Sequence, residues 1–513
     1  MKLSELFAIF PQVNWGDLPG LSERETSSIC FDSRQLVADC VFVAVQGSKV
    51  DGHEFLTAAA KAGALGLVVQ DLTRVPVDFK GAVVHVANSR LALNKLSAQY
   101  FKHASRELFC AGVTGTNGKT TLTHMIEAIL NFAAKPSGVI GTIDHHLTTP
   151  QGVHQWKTDL TTPGPVEFQK RLREFKALGA AALAMEVSNV GLLQNRADEV
   201  EFDVAIFTNL TRDHLDIHPD MEDYFATKRR LFHELLMASN KPQPTAVING
   251  DDEYGRRLLK EMRTRSSSAR AITVWSYGRE DLGTHELSFR ILSQGFFGTR
   301  FLLQSPGGVQ EFEILMPGLH NVYNVVGAIG AALIAGVSLQ TCAEALKKLT
   351  GVKGRLEAVP NSRGLYIFVD YAHTDDALVT VLHYLGRIRD EAGLKNKLIT
   401  VFGCGGDRDK GKRPLMMKAA ARGSELVVVT SDNPRTENPE AIIKDALAGA
   451  DPRDLGTRVF AVVDRREGIR KALALANQED VVVIAGKGHE DYQIIGTVKQ
   501  PFSDVEVVKE ILA

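Results

Sequence analysis

Short apolar runs alternate with amphipathic stretches along most of this chain, and the alternation predicts its elements. In residues 1–90 the runs Cys40–Val45, Leu65–Val69 and Ala82–Val86 read as strands, and Phe55–Ala62 between the first two has helical spacing. A second helical pattern, Leu91–Phe101, leads into the apolar run that begins at Leu108. Further strands are predicted at Ala181–Val187, Val204–Phe207 and Thr245–Ile248, with helical patterns between them. Strand–helix alternation of this kind specifies a mainly parallel sheet covered on both faces. Residues 286–316 change period: Leu-Ser-Phe-Arg-Ile-Leu, Arg-Phe-Leu-Leu and Glu-Phe-Glu-Ile-Leu alternate by two, which predicts an antiparallel addition. From Gly354-Arg355 onward, strands recur at Tyr366–Val369, Leu398–Phe402, Leu426–Thr430, Val459–Val463 and Val481–Ala485, which predicts a doubly wound sheet.

The expected fold class is therefore α/β in three domains. Residues 1–90 would form a small α/β domain, 91–353 a central mainly parallel sheet of the P-loop type, and 354–513 a C-terminal Rossmann-like sheet. A chain of 513 residues is too long for one core, which agrees with three. The longest uncharged stretch, Val325–Leu339, is too short and too rich in Gly and Ala for a bilayer and predicts a buried helix.

Composition narrows the function classes. A formal charge of −2 gives no global basic field for nucleic acid or an anionic membrane. Five scattered cysteines without Cys-x-x-Cys spacing argue against a disulfide framework or structural zinc and suit a reducing cytoplasm. Met1–Pro11 has one basic residue and a very short apolar stretch, unlike a signal peptide. The expectation is a cytoplasmic protein with no nucleic-acid partner and no membrane insertion.

The most informative motif is Thr114-Gly-Thr-Asn-Gly-Lys-Thr-Thr121, placed between an apolar strand and a helical pattern. Gly115 and Gly118 let backbone N–H groups approach phosphate oxygens. Lys119 adds a charge, Thr120 a hydroxyl for Mg²⁺, and the helix its positive end. Val113 occupies the first glycine position of the strict phosphate-loop pattern. The reading is a polyphosphate site.

Other strands also end in polar groups. Glu186 closes an apolar strand and reads either as an ion-pair or capping group, or as a Mg²⁺ ligand beside the phosphate loop. His214 and His218 have i,i+4 spacing without the glutamate of His-Glu-x-x-His, which argues against zinc. His214 reads as a metal- or phosphate-facing group or as a hydrogen-bonded loop residue. Lys228 shares a helical stripe with Tyr224, Leu231 and Phe232. It reads most simply as a snorkelling lysine. The sharper alternative is a buried amine of lowered pKa that reacts with CO₂ to form a carbamate. In the third segment Asp370-Tyr-Ala-His373, Asp407–Pro414, Asp432–Glu437 and Gly486–Glu490 all follow strands; a charge-rich loop alone reads as solvated surface, but four at corresponding strand ends converge on one edge and read as a shared polar site.

Taken together, the chain resembles the Mur ligase family. The motifs are Thr114–Thr121, Met185-Glu-Val-Ser188, Thr208-Asn209 with Asp213-His214, His320-Asn321 with Asn324, Gly354-Arg-Leu-Glu357 and Asp370-Tyr-Ala-His373. They cover almost the whole chain in order. Asp432-Asn-Pro-Arg435 is similar to the signature of the branch that adds diaminopimelate; lysine-adding relatives typically differ at the Arg435 position.

The resemblance implies an ATP-dependent amide ligase acting on a UDP-N-acetylmuramoyl dipeptide, with Mg²⁺, ATP and meso-diaminopimelate, in cell-wall precursor synthesis and as a monomer. It implies that Phe31, Ser33 and the Ser48-Lys49-Val50 turn hold the uridine nucleotide. Thr161, Thr162, Ser188, Gln194 and Arg196 would hold the muramoyl dipeptide. Gly115, Thr116, Asn117, Gly118, Lys119, Thr120 and Thr121, with Asn321 and Arg355, would hold ATP. Thr120, Glu186, His214 and a carbamylated Lys228 would meet Mg²⁺. Lys119, Lys228, His214, Asp370 and His373 would be catalytic. Arg408, Asp432, Asn433, Pro434, Arg435, Gly486 and Glu490 would bind diaminopimelate. Leu160 stands where many relatives carry Asn. The competing readings are a lysine- or dipeptide-adding Mur ligase, a folylpolyglutamate synthetase relative, and, from another class, an ATP-driven conformational switch.

Overall fold

The computed structural model describes residues 1–512 except 48–49, 159, 214–216, 269–271 and 392. Its first sheet contains β1 (Ile29–Cys30), β2 (Val41–Val43), β3 (Gly66–Val69) and β4 (Ala82–His85), in that order and all parallel. Every residue of β2 and β3 is buried, as expected for parallel strands covered on both faces. Phe7, Leu93 and Leu96 pack on one face, and Leu56 and Ala59 on the other. The helix Ser89–Tyr100 starts where Asn88 Oδ1 accepts from the Arg90 and Leu91 N–H groups.

The second sheet holds β5 (Phe109–Thr114), β6 (Ser137–Ile140), β7 (His145–Thr149), β8 (Gly152–Trp156), β9 (Ala182–Glu186), β10 (Val204–Phe207), β11 (Thr245–Asn249), β12 (Thr273–Arg279), β13 (Leu287–Gly295), β14 (Gly298–Ser305) and β15 (Gly308–Ile314). Their spatial order is β15-β14-β13-β12-β11-β10-β5-β9-β6-β7-β8. From β13 to β6 all neighbours are parallel. The antiparallel addition expected in 286–316 is β13–β15. A second antiparallel flank, β6–β8, escaped the hydrophobic pattern because His145, His146, Thr148 and Thr149 make β7 polar. The helices Lys119–Phe132 and Leu319–Ile334 pack on one face of this sheet, and Phe168, Phe175 and Phe232 on the other.

The stretch Val325–Leu339 is not one helix: the first helix ends at Ile334, Gly336 turns left-handed with φ +79°, and Ser338 caps the next helix, Leu339–Lys348.

The third sheet comprises β16 (Glu357–Ala358), β17 (Tyr366–Asp370), β18 (Leu398–Cys404), β19 (Leu426–Ser431), β20 (Val459–Ala461) and β21 (Val481–Ala485), ordered β16-β17-β21-β18-β19-β20. Only β16 among its described strands runs antiparallel, so β17, β21, β18 and β19 all end at one edge. A hairpin, β22 (Tyr492–Ile495) and β23 (Val498–Pro501), lies outside it. The tip of the β13–β14 hairpin reaches into this third region. Phe296 stacks on Tyr366 at 4.5 Å between ring centroids and joins the core cluster of Phe368 and Leu385.

Candidate active site

β5 runs into the Gly-rich turn and then into the helix Lys119–Phe132, as the motif predicts. The turn has no room for side chains at its glycines. A Cβ on Gly115 (φ +148°) would lie 1.9 Å from Thr208 Oγ1, and one on Gly118 (φ +88°) 2.3 Å from Asn324 Oδ1. The neighbouring strand end buttresses it: Thr208 Oγ1 donates to Asn117 O at 2.7 Å, and Asn117 N donates to Asn209 Oδ1 at 3.0 Å. Lys119 folds back over the turn, donating to Gly115 O at 2.9 Å and Thr116 O at 2.8 Å, and burial lowers its pKa.

Glu186, 1% exposed at the end of β9, accepts from Thr120 Oγ1 at 2.9 Å and from Thr142 N at 2.8 Å through Oε1, and from Thr142 Oγ1 at 3.1 Å through Oε2. Among the described residues it is thus hydrogen-bonded and makes no ion pair. Arg355 reaches in from the third region, its Nη2 donating to Thr120 Oγ1 at 3.3 Å. The backbone behind it is strained: Leu356 has φ +46°, and its N–H donates to Asp370 Oδ2 at 2.7 Å. Asp370 Oδ1 accepts from Ala372 N at 2.8 Å, and burial raises the carboxyl's pKa.

Lys228 does not snorkel. It is 1% exposed, and its Nζ donates to Gly115 O at 2.8 Å and lies 4.7 Å over the Tyr224 ring. The helix Met221–Arg230 aims the stripe inward, toward the phosphate loop, so the amine is buried at the wall of the cleft instead of reaching out to bulk water. Burial, with Lys119 nearby, drives its pKa well below the ordinary value.

The muramoyl-dipeptide candidates form one connected chain. Thr162 Oγ1 lies 3.0 Å from Ser188 Oγ, Arg196 Nη1 donates to Thr162 O at 2.8 Å, and Arg196 Nη2 donates to Gln194 Oε1 at 2.6 Å. Thr161 Oγ1 lies 3.1 Å from Thr142 Oγ1.

The four polar strand ends of the third sheet do converge. Asn433 Nδ2 donates to Glu490 Oε2 at 2.8 Å, and Arg435, in a left-handed conformation at φ +51°, donates through Nη1 to Gly406 O at 2.7 Å. Gly486 (φ +115°) packs so near Asp432 that a Cβ would lie 3.2 Å from its Oδ2. Asp432 Oδ1 is buried without a hydrogen-bond partner among the described residues. Beneath these ends, fully buried Arg465 pairs with Asp504 at 2.7 Å and donates to Ser431 O and Ala485 O, the carbonyls just before Asp432 and Gly486.

One cleft of about 1220 Å³ joins the two constellations. Thr116, Asn117, Gly118, Lys119, Thr120, Thr121, Thr161, Glu186, Ser188, Arg196, Lys228, Asn321 and Arg355 line it, and so do Asp370, His373, Arg408, Asp432, Asn433, Arg435, Gly486 and Glu490. Leu160 stands on its wall, 43% exposed. Thr162 and Pro434 are buried behind this surface. Phe31, Ser33 and Val50 stand apart, with Phe31 42% and Val50 51% exposed beside the first sheet. Ser48, Lys49 and His214 lie outside the described residues. His218 is 2% exposed, its Nδ1 lying 2.6 Å from Asp223 Oδ2 and its Nε2 2.5 Å from Asn189 Nδ2.

Two residues of the site escaped sequence reasoning. Thr142 touches both oxygens of Glu186 but sits in a hairpin turn that the pattern did not reveal. Lys487, fully buried, donates to Glu490 Oε2 at 2.9 Å and lies 3.7 Å from Asp432 Oδ1. The Gly-Lys-Gly-His-Glu run signalled a polar strand end without singling out its lysine.

A phosphate-loop domain whose cleft is completed by polar strand ends of a doubly wound sheet defines the class: a nucleotide-dependent protein with a second ligand half-site. The chain belongs to the Mur ligase family. Residues 25–101 match the Mur ligase family catalytic domain, 113–332 the Mur ligase middle domain, and 354–488 the Mur ligase glutamate ligase domain. It is 40% identical to the UDP-N-acetylmuramoyl-L-alanyl-D-glutamate–2,6-diaminopimelate ligase of Geobacter sulfurreducens, over 99% of this chain and 97% of that one. The enzyme of the same name from Aquifex aeolicus is 41% identical over 95% of this chain and 94% of its own. A solved structure of a UDP-N-acetylmuramoyl-L-alanyl-D-glutamate–2,6-diaminopimelate ligase superposes with a TM-score of 0.70 at 31% identity, covering 100% of this chain and 99% of that one.

Proposed function

We propose that this chain is an ATP-dependent ligase that joins meso-diaminopimelate to UDP-N-acetylmuramoyl-L-alanyl-D-glutamate. The observation that carries the reading is that the phosphate loop and the third sheet's polar ends open into one cleft. A switch that hydrolyses ATP only to change shape has no use for the second constellation. The three sheets are read as three domains, residues 1–90, 91–353 and 354–513, holding the UDP-sugar, ATP and the amino acid respectively.

A carboxylate is a poor electrophile, so it is activated first. A side-chain oxygen of the D-glutamyl residue attacks the γ-phosphorus of ATP, the β–γ bridge bond breaks, and ADP leaves. The neutral amine of diaminopimelate then attacks the acyl carbon and loses a proton. The tetrahedral intermediate expels phosphate and leaves an amide. Charge accumulates on phosphoryl oxygens in the first step, and Lys119, the turn's N–H groups and Arg355 are assigned to offset it. Asp370 fixes Arg355 through Leu356, and Asn321 completes the nucleotide site. Thr161, Thr162, Ser188, Gln194 and Arg196 orient the dipeptide. Phe31, Ser33, Ser48, Lys49 and Val50 are assigned to the uridine nucleotide.

Among the described residues no cluster of three or more His, Cys, Asp or Glu groups forms a ready-made metal site. That suits Mg²⁺, which takes one or two protein oxygens and completes its shell with phosphate and water. Glu186 and Thr120 supply such oxygens, and His214 and a carbamate on Lys228 are assigned beside them. When bound, Mg²⁺ would neutralise phosphate charge during transfer.

On the amino-acid side, a guanidinium grips a carboxylate through two parallel hydrogen bonds, and Arg435 is assigned to the distal carboxylate that distinguishes diaminopimelate from lysine. Asp432, whose Oδ1 accepts no hydrogen bond among the described residues and lies 3.7 Å from the Lys487 ammonium, is assigned to an ammonium group of the substrate. Arg408, Asn433, Pro434, Gly486 and Glu490 complete the half-site. No helix among the described residues is long and apolar enough to cross a membrane. The five cysteines are free and buried. We assign the chain to the cytoplasm, as a monomer, on its nucleotide substrates and single-chain cleft.

The test is an amino-acid panel with UDP-muramoyl dipeptide and Mg·ATP, reading ADP release and product mass. Diaminopimelate alone should give both strongly. ADP release independent of amino acid would favour the switch, and a lysine product would reassign the specificity.

A further inference from the structure

A buried charge bridge lies outside the residues assigned above. His146 on β7 places both ring nitrogens on carboxylates: Nδ1 is 2.6 Å from Asp144 Oδ1, and Nε2 is 2.9 Å from Glu127 Oε2. All three side chains are buried. A neutral imidazole has one N–H and one lone pair, so only an imidazolium donates at both ends. The carboxylates are themselves held. Glu127 Oε1 accepts from Thr148 Oγ1 at 2.7 Å and from Asn131 Nδ2 at 3.2 Å, and Asp144 Oδ2 accepts from Gln155. Burial opposes the charge, but the two carboxylates outweigh it and hold the ring's pKa near 10.

What the bridge joins gives it a use. Glu127 sits on the helix Lys119–Phe132, which begins at the phosphate loop, and Asp144 closes the turn between β6 and β7, where Gly141 N donates to Asp144 O at 3.3 Å. That turn carries Thr142, which hydrogen-bonds both oxygens of Glu186 and lies 3.1 Å from Thr161 Oγ1. His124, whose Nδ1 lies 2.8 Å from Thr120 O, packs its ring against His146 at 5.4 Å. The turn therefore sits between the phosphate half of the cleft and the candidate dipeptide half, and the bridge is its tie to the phosphate helix.

We propose that His146 is a positioning residue for the ligase reaction: by clamping Asp144 to Glu127 it locks the 141–144 turn, so that Thr142 holds Glu186 against Thr120 while Thr161 stays in line. The inference rests on the reading of the cleft as a ligase site. His146 touches no reacting atom. Groups that support ligands in this way typically cost about 10–100-fold in affinity or activity when removed.

The test has two arms. In the ligand-free, metal-free protein at about pH 8, where an ordinary histidine is neutral, nitrogen NMR of His146, assigned by its loss in His146→Gln, should show both ring nitrogens protonated. In turnover, His146→Gln should lower kcat by about tenfold and raise the KM for ATP, leaving the KM for diaminopimelate within about twofold. His146→Arg should recover most of the loss, because a guanidinium keeps the charge and has donors for both carboxylates. A neutral His146 ring at that pH, a His146→Gln enzyme with parental kcat and ATP KM, or a folded His146→Arg enzyme no better than His146→Gln would each overturn the proposal. If His146→Gln fails to fold, the wild-type ring state, assigned by selective labelling, and the His146→Arg kinetics still decide it. A parent enzyme without amino-acid-dependent ADP release would instead overturn the ligase reading, with the nitrogen arm still reporting on the bridge.

Discussion

The Lys228 amine donates to the carbonyl oxygen of Gly115 at 2.8 Å across a sequence separation of 113 residues, and it does so while almost wholly excluded from water. Burial and then the nearby Lys119 charge disfavour a positive charge there, and Asp213 opposes them without outweighing them. The shift is toward the neutral amine, the form that attacks CO₂. Lys228 should carry a carbamate, seen as a carbonyl carbon signal after incubation with ¹³C-bicarbonate and absent in Lys228→Ala. That variant should be inactive. A bare amine in a high-resolution structure with Mg·ATP bound would refute the assignment.

The same lysine makes a stability prediction. Its folded pKa is depressed below the ordinary 10.5, so between the two values the unfolded chain binds a proton that the folded chain does not. Stability of the unmodified protein should therefore rise with pH through that window and level off above it. Lys228→Met should flatten the rise, measured by denaturant unfolding in CO₂-free buffer across the alkaline range.

Gly118→Ala should remove nucleotide binding. The residue needs φ +88°, and the added methyl would sit 2.3 Å from Asn324 Oδ1. The left-handed conformation alone costs about 1–2 kcal/mol, and the turn must shift to clear Asn324. The KM for ATP should rise by more than about tenfold, with the KM for diaminopimelate unchanged. A variant that binds an ATP analogue as tightly as the parent, by calorimetry, would dissociate this turn from the phosphates.

Arg435→Ala should raise the KM for diaminopimelate by roughly thirtyfold or more, the cost of losing a desolvated charge-assisted pair. The KM for ATP should barely move. Lysine should be a poor substrate for the parent because it would leave the guanidinium without its carboxylate. Equal use of lysine and diaminopimelate by the parent would leave only the ligase class standing.

Phe296→Ala tests how the hairpin tip holds the third sheet. Phe296 is 7% exposed between Tyr366 and Phe368, and truncating a buried Phe costs about 3–5 kcal/mol. Here that loss falls on the junction between the central sheet and the third one. The expected outcome is faster proteolysis between them and a lower kcat, with little change in the melting of the central sheet. An unchanged proteolysis pattern would show that the hairpin tip does not bear on the junction.

Local chemistry made much of this protein legible in its sequence. The period of apolar residues named the parallel strands, because a strand covered on both faces must be apolar throughout, and β2, β3, β10 and β21 are. The phosphate turn was legible because only glycine fits where backbone meets Thr208 and Asn324. The polar ends of β17, β18, β19 and β21 were legible as one edge because parallel strands end together. Other features depend on what stands opposite a residue, which spacing does not encode. The stripe containing Lys228 reads the same whether its helix faces water or the phosphate loop, and only packing turned it toward that loop. β7 escaped the apolar pattern because it is polar, and the partners that satisfy His146 and Thr148, Asp144 in the turn and Glu127 on the phosphate helix, are not visible in its spacing. Helical propensity ran through Val325–Leu339, and the left-handed turn at Gly336 divided it. The hydrophobic pattern set which elements form, since burial of apolar area is read locally. The tertiary structure alone decided which polar groups stand within hydrogen-bonding distance, since those partners come from distant parts of the chain.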